Sequence, residues 1–133
     1  KFNPLPTVLS GKRVIIVDDS IVRGTTTPHV INLVKKAGAK EIHLRVCAPP
    51  IRHPCHLGVD MASYRELLAA NRSVEEIRQF VGADSLGFLS IEGLTRVAGS
   101  DKPHCTGCFT GNHPIPVQLE MDKLALEIST SSS

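Results

Sequence analysis

An α/β fold built on a parallel sheet is predicted by three features of the sequence. The first is an unbroken β-branched run at residues 14–17, which is typical of a strand buried on both faces of such a sheet. The second is a helical pattern that begins beside Pro28 and stops at Gly38, and the third is the apolar and polar alternation over 42–46. Strand, helix and strand in this order form a βαβ unit, and a cysteine-containing loop and helix extension is expected after it.

The helix of this unit has two marked ends. Thr27 is predicted as its N-cap and Pro28 lies in its first turn, where a missing N–H costs no helical hydrogen bond. Gly38 stands where a glycine with positive φ commonly closes a helix. The residues predicted to share its buried face are Val30, Ile31, Val34 and Ala37.

The stretches before and after this unit give weaker signals. Residues 1–11 contain Pro4 and Pro6 without periodicity and predict an extended lead-in. Two capping-box sequences, at residues 63–66 and 73–76, predict two short helices, the second of which ends at Gly82.

The remaining elements divide the chain into two parts and a tail. Residues 86–89 predict a third buried strand and residues 91–97 a short helix. We therefore expect one domain over 1–98 and a cysteine-rich extension over 99–128, which begins as a loop. The polar, low-complexity residues 129–133 are predicted to be disordered.

Composition excludes several classes of protein. The chain has 133 residues, 41% of them hydrophobic, and a formal net charge of +2 with scattered basic residues, so neither a nucleic acid nor a membrane is expected as a partner. We find no apolar run that would span a bilayer and no secretory signal pattern, which favours a cytoplasmic protein. The chain opens on Lys1 and reaches a strand almost at once, so we expect that it begins inside a longer protein.

The most informative stretch follows the first strand. Asp18 and Asp19 come directly after it, and residues 20–26 are rich in hydroxyl groups and contain Gly24. Successive backbone N–H groups of such a loop, with the Thr25 hydroxyl and the N-terminus of the next helix, can surround one phosphate. The two carboxylates can accept hydrogen bonds from a diol or hold a divalent cation. Phosphate and diol together describe a ribose 5-phosphate.

A plain solvated turn with helix-capping threonines is the alternative. The whole combination argues against it, because two acids, a short spacer and Gly-Thr-Thr stand at a strand-to-helix turn, where open α/β sheets bind ligands. The string VDDSIVRGTT resembles the PRPP-binding motif of the type I phosphoribosyltransferases, and in particular that of the amidophosphoribosyltransferases. The resemblance implies the C-terminal portion of the type I phosphoribosyltransferase fold.

The same resemblance implies roles for the loop. Asp18 and Asp19 would contact the ribose hydroxyls and Mg²⁺ and act in catalysis. The residues that would wrap the 5-phosphate, largely through backbone groups, are Ser20, Ile21, Val22, Arg23, Gly24, Thr25 and Thr26.

Cysteines form the second constellation. Cys105 and Cys108 make a C-x-x-C pair, and Cys55 lies in a loop far upstream. The spacing alone leaves three alternatives open, namely reduced thiols, an iron-sulfur cluster, or zinc completed by neighbouring histidines. The zinc alternative would draw on His53, His56 and His104.

The resemblance extends to the segments around these cysteines. PPIRHPC and CTGCFTGNHP are similar to the segments that ligate the 4Fe-4S cluster of iron-sulfur amidophosphoribosyltransferases, which assigns Cys55, Cys105 and Cys108 as ligands and places the fourth ligand outside this chain. Cys47 is interpreted as a buried small hydrophobic residue. His29 and His43 are interpreted as surface residues without a function.

For the whole protein the resemblance implies the first step of purine biosynthesis. Glutamine supplies ammonia, which displaces pyrophosphate from PRPP to give phosphoribosylamine, and the family's glutamine site lies outside this chain. It also implies inhibition by purine nucleotides and a homo-oligomer, and an inactive fragment when this chain stands alone. The alternatives are another PRPP-binding phosphoribosyltransferase, a PRPP-sensing regulator, or a non-catalytic zinc-binding fragment.

Overall fold

Three parallel strands form the sheet. The computed structural model describes residues 4–58, 63–99 and 103–115. The strands are β1 (Arg13–Asp18), β2 (Glu41–Val46) and β3 (Ser85–Phe88), and they lie in the order β1-β2-β3. In the register of the sheet, Leu44 pairs with Ile16 on one side and with Leu86 on the other. The predicted α/β fold with a parallel sheet is therefore confirmed.

Helices α2 and α3 build the core against one face of this sheet. Ile31 of α2, Leu44 of β2 and Ile77 of α3 are each at most 2% exposed and belong to one hydrophobic cluster. The predicted buried face of α2 is confirmed at Ile31, Val34 and Ala37, while Val30 is half-buried. The helices of the described residues are α1 (Pro6–Leu9), α2 (Thr27–Lys36), α3 (Val74–Val81), α4 (Ile91–Ala98) and α5 (Gly107–Thr110).

The start of α2 differs from the prediction by one residue. Thr26 is the N-cap, and its side chain makes no capping hydrogen bond. Thr27 already lies in the helix and is 7% exposed, so its position in the first turn buries it. The end is as predicted, because Gly38 follows the helix with φ of 92°.

The prediction that β1 is buried on both faces is wrong for the described residues. Ile15 and Val17 are 66% and 67% exposed, whereas Val14 and Ile16 are half-buried on the face that packs against the core. A β-branched run cannot distinguish a strand covered on both faces from one covered on a single face.

One of the two predicted short helices is wrong and the other is confirmed. Residues 64–66 and 68–70 form turns, because Leu67, Leu68 and Ala69 are all buried and three consecutive residues cannot share one helical face. By contrast, α3 carries the complete capping box of Ser73 and ends at Gly82 with φ of 79°.

The lead-in, the loop after residue 99, Cys47 and His43 differ from their predicted structures. The extended lead-in is wrong over Pro6–Leu9, which form the single turn α1, and the loop expected after residue 99 contains α5. Cys47 is exposed and not buried. His43 is half-buried, and its ring nitrogens lie 2.8 Å from Ser85 Oγ and 3.1 Å from a Glu41 carboxylate oxygen.

Some predictions cannot be compared with the structure. The polar tail at 129–133 and most of the proposed extension over 99–128 lie outside the described residues. Among the helices that are described, none is long and apolar enough to cross a membrane.

Candidate functional site

Residues 18–27 line one cavity of about 350 Å³ at the carboxyl end of β1 and the start of α2. The sequence missed Thr27, whose place at the end of the Thr-Thr-Thr run was the available signal. All nine residues predicted from the sequence are brought together here, namely Asp18, Asp19, Ser20, Ile21, Val22, Arg23, Gly24, Thr25 and Thr26.

The two carboxylates stabilise the first turn of this loop. An Asp18 carboxylate oxygen accepts a hydrogen bond from Asp19 N at 3.0 Å. An Asp19 oxygen accepts from Ser20 N at 2.5 Å and from Ser20 Oγ at 3.3 Å. Because these bonds use one oxygen of each carboxylate, the second oxygen of each can accept from a ligand or bind a cation.

The middle of the loop is anchored on the protein side. Ile21 is 4% exposed and belongs to the main core. Val22 packs against the second hydrophobic cluster, which contains Ile51 and Leu67, and its carbonyl accepts a hydrogen bond from Leu68 N at 2.9 Å. Since these two side chains pack against the hydrophobic clusters, the loop can offer its backbone groups to the cavity.

Gly24 connects the loop to the segment at 63–70. It is buried with φ of 69°, and a Cβ at this position would lie 2.6 Å from Leu68 Cδ2 and 3.2 Å from Phe80 Cε1. The resemblance places this glycine among the residues that would wrap the 5-phosphate. The structure supplies a separate reason for a glycine here, because the space that a side chain would need is occupied by the protein itself.

Arg23 reaches across to the same segment. Its Nε lies 3.2 Å from a Glu66 carboxylate oxygen, and the other Glu66 oxygen accepts from Ser63 N and Ser63 Oγ at 3.1 Å each. The Ser63 backbone hydrogen bond, then its hydroxyl, then the charge of Arg23 lower the pKa of Glu66 below its usual range. Glu66 therefore remains a carboxylate beside the loop at neutral pH.

The structure predicts how Glu66 responds to acid. Ser63→Ala removes one donor and Arg23→Gln removes the charge, so each should raise the Glu66 pKa towards its usual value. Because the folded-state pKa of Glu66 is lowered, these contacts stabilise the fold fully at pH values above the usual glutamate pKa. This stabilisation is lost as the pH falls through the lowered pKa of the folded state. Carboxyl ¹³C shifts recorded against pH would measure both values.

Glu76 provides the internal control for this titration. Hydrogen bonds from the Ser73 backbone and hydroxyl lower its pKa in the same way, so Ser73→Ala should raise the pKa of Glu76 and leave that of Glu66 unchanged. A wild-type Glu66 that titrates in the usual glutamate range would contradict the contacts described here.

The cysteine segments adjoin the loop through the second cluster. Cys108 of α5 packs into that cluster, and its carbonyl accepts hydrogen bonds from Arg52 N and His53 N at 3.0 Å each. Burial raises the pKa of the Cys108 thiol, and the nearby charges of Cys55 and Cys105 raise it further. The segment that follows Ile51 and the helix that carries Cys108 therefore lie side by side.

A single-ion site is not formed by these groups. Within residues 4–58, 63–99 and 103–115, we find no group of three or more His, Cys, Asp or Glu that could hold a metal ion. His53 Nδ1 lies 2.9 Å from the Tyr64 hydroxyl, His104 Nε2 lies 3.0 Å from the Gly99 carbonyl, and the His56 ring packs edge-on against His113. The histidines of the zinc alternative thus contact other groups.

Comparisons with known proteins point to one family. The family described as phosphoribosyl transferase domain matches residues 3–84. The chain is 52% identical to the amidophosphoribosyltransferase of Methanocaldococcus jannaschii over 120 residues, which are 90% of this chain and 25% of the relative. It is 47% identical to that of Bacillus subtilis, over 88% of this chain and 26% of the relative.

Solved structures give the same result. The allosteric regulatory enzyme of purine biosynthesis matches with a TM-score of 0.80 and 45% identity, over 86% of this chain and 26% of the other. The glutamine PRPP amidotransferase from B. subtilis, complexed with ADP and GMP, matches with the same TM-score and coverage at 46% identity. The chain therefore spans about a quarter of the length of the relatives it matches.

Proposed function

Because the chain belongs to the phosphoribosyl transferase family, we propose that it supplies the PRPP-binding part of an amidophosphoribosyltransferase. In this reaction ammonia from glutamine displaces pyrophosphate from C1 of PRPP and gives 5-phosphoribosylamine, pyrophosphate and glutamate. The observation that carries the proposal is the cavity at residues 18–27, where two acids are followed by a loop whose inner side chains are anchored in the core.

Each end of this cavity has a part in the proposed chemistry. The exposed Thr25 and Thr26, the loop amides and the N-terminus of α2 would bind the 5-phosphate and hold the ribose still. Displacement at C1 develops positive charge on the sugar, which Asp18 and Asp19 would stabilise. The same two carboxylates also fit Mg²⁺, because each uses only one oxygen in the hydrogen bonds of the loop. Proteins commonly hold Mg²⁺ through one or two carboxylates and the substrate phosphates. Bound there, Mg²⁺ would neutralise charge on the pyrophosphate.

The cysteines fit a 4Fe-4S cluster better than a single ion. The ligands of such a cluster are cysteine thiolates, which this chain offers, whereas the histidines of the zinc alternative contact other groups. Cys55, Cys105 and Cys108 would supply three thiolates, with the fourth ligand outside this chain. His113 Nδ1 is buried without a hydrogen-bond partner in the described part of the chain, and its ring lies against Gly107 of α5. Such an atom calls for a hydrogen-bond partner that the described residues do not supply, and a bound water or ion is one such partner. The proposed role of the cluster is structural.

Regulation and assembly are part of the proposal. The B. subtilis enzyme is complexed with ADP and GMP, and we infer that purine nucleotides inhibit by occupying the ribose-phosphate cavity. We also infer a homo-oligomeric cytoplasmic enzyme whose glutamine site lies outside this chain.

Ligand binding by this chain provides the direct test. Ribose 5-phosphate titrated with Mg²⁺ should shift the backbone amide signals of Ser20 to Thr27, and Thr25→Ala should weaken binding while Thr95→Ala, on α4, should not. A chimera that carries this chain in place of the matching quarter of the B. subtilis enzyme should form phosphoribosylamine from glutamine and PRPP. Binding with an inactive chimera would favour another phosphoribosyltransferase or a PRPP-sensing regulator. Absence of binding, with one zinc retained, would favour the zinc-binding fragment.

A further inference from the structure

A second cavity lies beside the candidate site and has its own charged lining. It measures about 430 Å³ and shares only Arg23 with the cavity at residues 18–27. This volume falls within the range of roughly 300–1,000 Å³ that is typical of small-molecule sites. We call it the arginine cavity, and its polar side chains are Arg23, Arg65, Glu66, Asn71 and Arg72.

The arginine cavity carries an excess of positive charge. Three guanidinium groups line it together with one carboxylate, which leaves two positive charges. Guanidinium groups remain charged at all physiological pH values. Glu66 offsets one of these charges, and both of its oxygens are already engaged, one by Arg23 and the other by Ser63. An anion entering the cavity would therefore relieve repulsion among the arginines.

Local contacts hold part of this lining in place. The Arg72 guanidinium carbon lies 4.8 Å from the centroid of the Phe80 ring, an arrangement that restricts the side chain while its N–H groups stay available. Leu67 and Leu68, which also line the cavity, are 2% and 5% exposed and belong to the two hydrophobic clusters. The arginines therefore lie beside residues that are packed in the protein interior.

We propose that the arginine cavity binds a phosphate group of a small anionic molecule, at a site separate from the cavity at residues 18–27. Guanidinium groups match phosphate oxygens with two parallel hydrogen bonds, and the Asn71 amide adds a further donor. Arg23 lines both cavities, so Arg65 and Arg72, which line only the arginine cavity, distinguish the two sites. The proposal rests on the lining of the arginine cavity and does not depend on the function proposed for the loop.

Inorganic phosphate titrated into the ¹⁵N-labelled chain at low ionic strength would test the proposal. The amides of Asn71 and Arg72 should shift with one dissociation constant, and those of Thr25 and Thr26 with another. Arg65→Gln should weaken the response at Asn71 by about tenfold, since it removes a charge-assisted donor, and should leave the apparent affinity at Thr25 close to wild type. Arg96→Gln removes an exposed arginine of α4, outside both cavities, and should change neither.

Three results would overturn the proposal. The first is an Asn71 amide that does not shift with phosphate while Thr25 does. The second is an Asn71 response that Arg65→Gln leaves intact although the spectrum shows an unchanged fold. The third is an equal shift produced by sodium chloride at matched ionic strength, which would show only general screening.

Discussion

Gly24→Ala is expected to destabilise the chain by about 2–5 kcal/mol and to abolish measurable binding of ribose 5-phosphate. Placing a Cβ at a φ of 69° costs about 1–2 kcal/mol. The same Cβ would meet Leu68 Cδ2 at 2.6 Å, and overpacking of a buried residue costs about 1–3 kcal/mol more. Because Val22 and Gly24 both contact the segment at 63–70 and Leu68 is packed in the main core, relief of the clash displaces Leu68, the loop or both. Urea denaturation and ligand titration would measure the two effects.

Gly11→Ala is a matched control for the backbone contribution. Gly11 has φ of 71°, and a Cβ there would meet nothing within 4 Å, so only the conformational cost of about 1–2 kcal/mol should appear. The double variant Gly24→Ala/Leu68→Ala should be more stable than the sum of its single changes predicts, because the two side chains no longer compete for one space. Equal losses at Gly11 and Gly24 would show that the predicted clash is absent.

The residues that the sequence groups together line one cavity because their signal is local. Successive residues from Asp18 to Thr26 form one turn between one strand and one helix, so their order along the chain is also their order around the cavity. The resemblance of the motif added PRPP as the expected ligand, whereas the hydroxyl groups and carboxylates alone indicate only a phosphate and a diol. Thr27 was missed because its burial depends on α2 beginning one residue earlier than predicted.

What the sequence did not predict depends on contacts between distant segments. The reason for Gly24 lies at Leu68, and the anchoring of Val22 involves Ile51 and Leu67. Sequence periodicity does not predict these contacts between distant residues. Residues 64–66 and 68–70 form turns, and their segment has consecutive buried positions in place of a helical or strand pattern. The predicted burial of both faces of β1 was wrong for a related reason. A β-branched run indicates a strand but does not indicate what covers each of its faces. Cys47 was predicted to be buried but is exposed. It follows the end of β2, and the local sequence pattern does not indicate what surrounds that position.

Asp19→Asn should separate the charge of the acidic pair from its part in shaping the loop. The asparagine side-chain oxygen can still accept from Ser20 N, so the fold and its stability should be retained. The lost negative charge should lower kcat/KM of the B. subtilis chimera by about 10²–10³-fold, the magnitude typical when one group that stabilises developing charge is removed. It should also weaken the Mg²⁺ dependence of ribose 5-phosphate binding.

Asp19→Ala and Glu92→Gln complete this comparison. Asp19→Ala removes both the charge and the acceptor for Ser20, so it should lose activity as Asp19→Asn does and in addition broaden the amide signals of the loop. Glu92 is an exposed acid in the first turn of α4, and neutralising it should leave kcat/KM within about twofold of wild type, as for most surface changes. An Asp19→Asn chimera as active as the parent would restrict Asp19 to shaping the turn and leave Asp18 as the acid that acts on the substrate.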